Sequence, residues 1–210
     1  MSEKLGKYIV IEGTDGAGTT TQKDLLIENL AERGQKVIGV VEPGGTLIGR
    51  ALRSIVLDGS LERSPETNLD LFSISRRELA LQVIEPQIND GVYVISDRNW
   101  FSSVAYQGFG EGLDYQKIFD KSFSALGKFI IPNTTIIIDV PVEVSEERMK
   151  HRGIDASDTF EKKGRTFYEK VREGYLWVAD EFGLKIVDGT KTIEQVHSEI
   201  IELVKIDSTE

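Results

Sequence analysis

Five short runs of branched apolar residues punctuate this 210-residue chain: KYIVIE, KVIGVV, VYVIS, TTIIIDV and LKIVD. Each is apolar throughout rather than alternating, the pattern of a strand covered on both faces. The stretches between them carry helical spacing. In Gln22–Arg33, Leu25, Leu26, Leu30 and Ala31 form one stripe, and Gly34 supplies the stop. Ser-Pro-Glu at Ser64 opens a long helix that NDG closes after Asp90, and Pro86 predicts a break or kink near its end. Val142–His151 and Thr192–Lys205 also read as helices, the second with Ile193, Val196, Ile200 and Val204 on one face. Strands alternating with helices predict an α/β fold, a parallel sheet of about five strands with right-handed crossovers. No linker, repeat or low-complexity segment interrupts residues 1–206, which are expected to form one domain, with a frayed end at 207–210.

Composition narrows the partners. At 40% hydrophobic residues the chain can bury one sizeable core, while a net charge of −10 repels nucleic acid and anionic membrane. Neither a polymer ligand nor a membrane partner is therefore expected. The chain has no cysteine, hence no disulfide or thiolate metal site, and its two histidines are too few for a histidine-based one. The polar MSEKLGK start and the lack of any long apolar span lead to the expectation of a cytoplasmic protein.

The first strand runs into EGTDGAGTTTQ, nearly a phosphate-binding loop. Strand, glycine-rich turn and helix follow in the required order, and Thr20 stands where a hydroxyl meets Mg²⁺. The lysine expected between the last glycine and that hydroxyl is Thr19 instead. Taken alone, such a turn also serves as a connection that binds nothing. A second tight turn, EPGGT, precedes LIGRALRSIVLDG, a helix predicted to expose Arg50 and Arg53. SDRNWFSSVAYQGFG follows the third strand, placing Asp97 and Arg98 at a carboxyl end, where parallel sheets bind ligands. An adjacent acid and base at that place is also readable as a local ion pair.

In this combination the chain resembles the thymidylate kinases, P-loop nucleoside monophosphate kinases. The resemblance rests on seven ordered segments: IEGTDGAGTTTQ, EPGGTLIGRALRSIVLDG, LFSISRRELALQVIEP, SDRNWFSSVAYQGFG, IDVPVEVSEERMKHRG, DTFEKKGRTFYEKVREGY and DGTKTIEQV. It implies a three-layer P-loop NTPase-type fold with a small lid at about 148–166. The reaction it implies is transfer of the ATP γ-phosphoryl group to dTMP with Mg²⁺, in a homodimer. By the same resemblance Gly13, Thr14, Asp15, Gly16, Ala17, Gly18, Thr19, Thr20 and Thr21 would cradle the ATP phosphates. Thr20 and Asp97 would serve the metal, and Asp15 would face the acceptor sugar or its metal. Glu42 lies in the matched EPGGT turn at the acceptor site. Arg53 and Arg98 would hold the acceptor phosphate with forked donors. Phe72 would stack on the pyrimidine, although from the residues alone it is equally an ordinary core side chain. Arg76 would bond a base carbonyl, Ser102, Ser103 and Gln107 fall in the segment that meets the thymine edge, and Tyr106 would crowd a ribose 2′-hydroxyl.

Two departures from the family pattern remove positive charge. Thr19 replaces the loop lysine, and Thr159 in DTFE replaces an arginine. One lost contact to a transferring phosphoryl group ordinarily costs about 3–4 kcal/mol, two to three decades in rate. Arg148 and Arg152, four apart on one helix face, are the expected substitutes. Two alternatives stand beside this reading: a related nucleotide kinase with another acceptor, and a catalytically impaired nucleotide-binding regulator.

Overall fold

The computed structural model describes residues 5–151 and 163–204. Five parallel strands form one sheet in the order β2-β3-β1-β4-β5. They are β1 (Tyr8–Gly13), β2 (Val37–Val41), β3 (Tyr93–Asp97), β4 (Thr134–Asp139) and β5 (Lys185–Asp188). The expected strands are all present. Central β1, β3 and β4 are covered on both faces as predicted, but β2 and β5 are edge strands with partly exposed side chains. An apolar run tells that a strand is buried somewhere, not where in the sheet it lies.

The pleat of β1 divides the core. Ile9 and Ile11 face helices α1 (Thr19–Glu32) and α9 (Ile193–Leu203), meeting Leu26, Leu30, Val196 and Ile200. Tyr8 and Val10 face the opposite layer, where Leu79, Ile84 and Ile88 pack. That layer also contains α2 (Leu47–Leu57), α3 (Pro65–Leu79), α5 (Trp100–Ser103), α6 (Tyr115–Leu126) and α8 (Arg165–Phe182). A second apolar cluster there joins Trp100, Phe101, Val171 and Tyr175. Helix, sheet and helix thus form three layers.

Pro86 does not end its helix. The chain widens into a π turn at Ala80–Ile84 and continues as α4 (Glu85–Asn89), with Pro86 in the first turn of α4. The wider turn relieves the clash between the proline ring and the carbonyl four residues earlier, so the irregularity precedes the proline. A second π segment, Val104–Gly110, extends α5 and packs extensively on α8. Helix α7 (Val142–His151) follows β4 as predicted. Most of the expected lid, and the expected frayed end, fall on residues 152–162 and 205–210, outside the described residues. No described helix is long and apolar enough to cross a membrane.

Candidate nucleotide site

Three strand ends converge where β1 passes into the glycine-rich loop. Gly16 and Gly18 adopt positive φ of 80° and 102°. At Gly16 a Cβ would come within 2.7 Å of the Ser145 carbonyl, so only glycine fits that curl. Side chains of Thr46, Ser64, Asp114 and Thr192 cap α2, α3, α6 and α9, but no side chain caps α1. The helix begins directly from Gly18 and leaves its N-terminal dipole to an external anion. Thr19, in the lysine position, is buried, and its side chain lies at the base of the loop near Gly13.

A cavity of about 540 Å³ opens between this loop and the ends of β2 and β3. Its wall brings together Asp15, Gly16, Gly18, Thr19, Thr20 and Asp97 with the sequence-predicted Arg53, Phe72, Arg76, Arg98, Ser102, Ser103, Tyr106 and Gln107. Arg98 donates from Nη2 to Asp15 Oδ1 at 2.6 Å, and its guanidinium lies 5.2 Å from the centre of the Tyr106 ring. The Tyr106 hydroxyl accepts from the Asp15 amide at 3.2 Å, and burial pushes its phenol well up. Arg53 is not the exposed residue expected from the helix pattern. Half-buried, it turns back and donates to the Pro43 carbonyl at 2.9 Å, whereas Arg50 is exposed. Phe72 is half-buried at the cavity wall and belongs to none of the core clusters.

Arg76 is only 1% exposed. It donates from Nε to Glu42 Oε2 at 2.7 Å and from Nη2 to Ser103 Oγ at 3.2 Å, while Nη1 has no protein partner. A buried guanidinium with one free donor at a cavity wall calls for an acceptor from a ligand or water. Glu42 therefore acts as the counter-ion of Arg76. Burial pushes its carboxyl up against the pull of that arginine.

Thr20 Oγ1 donates to Asp97 Oδ2 at 2.5 Å, and Asp97 Oδ1 is buried without a partner. Among the described residues no three acidic or histidine side chains gather as a metal cage. One hydroxyl and one carboxylate beside a phosphate cradle nevertheless suit Mg²⁺, which takes few protein ligands and completes its shell with phosphate and water.

Sequence reasoning missed Glu12. Fully buried in β1, it accepts from the amides of Asn99 at 2.7 Å and Ser102 at 3.3 Å. It also accepts from Ser102 Oγ at 2.6 Å and the Tyr175 hydroxyl at 3.1 Å. Burial pushes its pKa from 4.5 up to about 7, although these donors and Arg98 oppose the shift. The folded state thus holds a proton that the unfolded chain releases above 4.5, and stability falls as pH rises from 4.5 to about 7. Glu12→Gln removes this titration. Its stability relative to the parent is expected to rise by about 3 kcal/mol across that interval in denaturant melts, and a pH-independent difference refutes the assignment.

Beyond the loop lies a second cavity of about 430 Å³, lined in part by Gly16, Ala17, Gly18, Arg148, Lys191 and Ile193. Arg148 donates to the Gly189 carbonyl at 2.8 Å, and its Nη1 lies 3.4–3.5 Å from the carbonyls of Ala17 and Gly16. It is therefore at the loop, bridging it to the turn after β5. Arg152, its expected companion, lies outside the described residues. His151 is exposed, and His197 is half-buried in α9, where burial lowers its pKa.

Known proteins resemble this chain in sequence and in fold. The family description "Thymidylate kinase" matches residues 11–200. Thymidylate kinase of Thermosipho africanus is 38% identical over 205 residues, covering 94% of this chain and 97% of that protein. The thymidylate kinase of Fervidobacterium nodosum is 40% identical over 197 residues, covering 93% and 97%. The crystal structure of thymidylate kinase from Ehrlichia chaffeensis superposes with a TM-score of 0.76 at 29% identity, covering 96% of this chain and 99% of that one. With sequence agreement from β1 to α9 and the same fold beneath it, the chain belongs to the thymidylate kinase family.

Proposed function

We propose that this enzyme transfers the γ-phosphoryl group of ATP to dTMP, yielding dTDP and ADP. The observation that carries the reading is the 540 Å³ cavity, which sets Arg53, Arg98 and Arg76 beside the open end of the phosphate loop. Two anionic phosphates repel each other, and their transfer needs alignment and charge neutralisation more than covalent help. The loop and the N-terminus of α1 hold the donor phosphates. Arg53 and Arg98 hold the acceptor phosphate, and Asp15 orients Arg98. Phe72 stacks on the base while the free Nη1 of Arg76 donates to a base carbonyl, with Ser103 and Gln107 along the same edge. Tyr106 crowds the 2′ position and favours deoxyribose. Thr20 and Asp97 would hold Mg²⁺, which would supply charge neutralisation to the donor phosphates. The second cavity receives the nucleoside end of ATP, and Arg148 brings to the loop the charge that Thr19 lacks.

A coupled ADP-release assay with ATP and Mg²⁺ tests the reading against dTMP, dUMP, UMP, CMP, AMP and thymidine. Turnover should be highest with dTMP. Thermal stabilisation by ligands without turnover would instead support a non-catalytic regulator, and preference for another acceptor would correct the substrate. A second copy of the chain is the expected partner, supported by the exposed Leu57 of α2, Ile74 of α3 and Leu81 of the π turn that follows α3. Sedimentation equilibrium should give twice the 23.4 kDa chain mass. A monomer at micromolar concentration would overturn that assembly.

A further inference from the structure

Arg98 is the one described non-glycine residue with positive φ, at 75°. Residues with a Cβ stay in that region only when their surroundings over-determine it. Three bonds do so here. The Arg98 amide donates to the Ile11 carbonyl at 2.9 Å, and Ser96 Oγ donates to the Arg98 carbonyl at 2.6 Å. The next amide, that of Asn99, donates to Glu12 Oε1 at 2.7 Å. The remaining donors to Glu12 come from Ser102 in α5 and Tyr175 in α8. Ser102 Oγ and the Tyr175 hydroxyl also lie 2.8 Å apart, so both donors converge on the same oxygen of the Glu12 carboxylate.

We propose that Glu12 is a positioning residue for the acceptor-phosphate arginine, its carboxylate locking the Arg98–Asn99 corner in the left-handed turn that sends Arg98 back over the cavity. Glu12 does not line that cavity and touches no substrate there. It acts through the backbone. With the clamp removed, Arg98 relaxes toward ordinary φ and its guanidinium leaves Asp15 and the Tyr106 ring. The damage falls on acceptor binding. The donor side is spared, because the loop glycines and the start of α1 make no bond to the Glu12 carboxylate among those described.

This inference rests on the acceptor role given to Arg98, and the experiment separates the two. Calorimetric Kd for dTMP and KM for ATP are measured for Glu12→Ala, Glu12→Gln, Ser96→Ala, Arg98→Ala and the double variant Glu12→Ala/Arg98→Ala. Glu12→Ala should weaken dTMP on the order of tenfold and leave KM for ATP within about twofold. Glu12→Gln retains a carbonyl for the Asn99 amide and should recover most of the dTMP affinity. In the Arg98→Ala background, Glu12→Ala should add less than about twofold, because the residue it positions is gone. Equal losses for both substrates, or additive losses in the double variant, overturn the proposal. Should Glu12→Ala fail to fold, Ser96→Ala decides: it loosens the same corner from the other side and must weaken dTMP selectively. If Arg98→Ala alone leaves dTMP affinity unchanged, the acceptor reading falls and this inference falls with it.

Discussion

Arg98→Ala is expected to lower kcat/KM for dTMP by about a thousandfold, roughly 4 kcal/mol of transition-state stabilisation, while KM for ATP stays within twofold. The size follows from the setting. The guanidinium is mostly buried, at 20% exposure, so its field is weakly screened by water. Among the described residues its charged hydrogen-bond partner is Asp15, itself 38% exposed and able to turn toward solvent. Arg98→Lys should recover little, because an ammonium cannot present the planar fork that spans two phosphate oxygens. Steady-state kinetics with each substrate varied in turn provides the check. A loss confined to ATP would place Arg98 on the donor side instead.

Arg148→Ala is expected to reduce turnover about a hundredfold and to raise KM for ATP, because that side chain brings a cation to the lysine-free loop. The arginine holds the Gly189 carbonyl and approaches those of Gly16 and Ala17, so its loss also loosens the loop. Charge and scaffold are separable. Thr19→Lys in the Arg148→Ala background restores a cation inside the loop without restoring the bridge to Gly189. Recovery of turnover by this second change identifies charge as the missing quantity. Full activity in Arg148→Ala alone removes Arg148 from the mechanism.

Much of the site was legible because its residues occupy short segments that end strands. Asp15 and Thr20 follow β1, Glu42 follows β2, and Asp97 and Arg98 close β3, so a parallel sheet gathers them at one edge. Spacing along α3 likewise put Phe72 and Arg76 on one face. Orientation was less accessible. The helix pattern of α2 exposes Arg53, but the carbonyl of Pro43, ten residues earlier, draws the side chain back over the cavity. Glu12 escaped notice because it reads as one more position in an apolar strand. Its donors lie 87, 90 and 163 residues away, a separation that no local pattern reports. A charged residue closing an apolar strand directly before the loop glycine was the available signal. The π turn before Pro86 was hidden similarly, since a single π turn sits inside an otherwise α-helical stretch.

The Asp15–Arg98 contact also bears on which anions the empty enzyme ignores. On the proposed assignment of Arg98 to the acceptor phosphate, that side chain is already paired with an internal counter-ion, so a visiting oxyanion must outcompete a tethered carboxylate. Sulfate and inorganic phosphate bring nothing else to the contest. On the same proposal a nucleotide would add ring stacking and base-edge contacts from elsewhere in the cavity, so simple oxyanions compete poorly for Arg98.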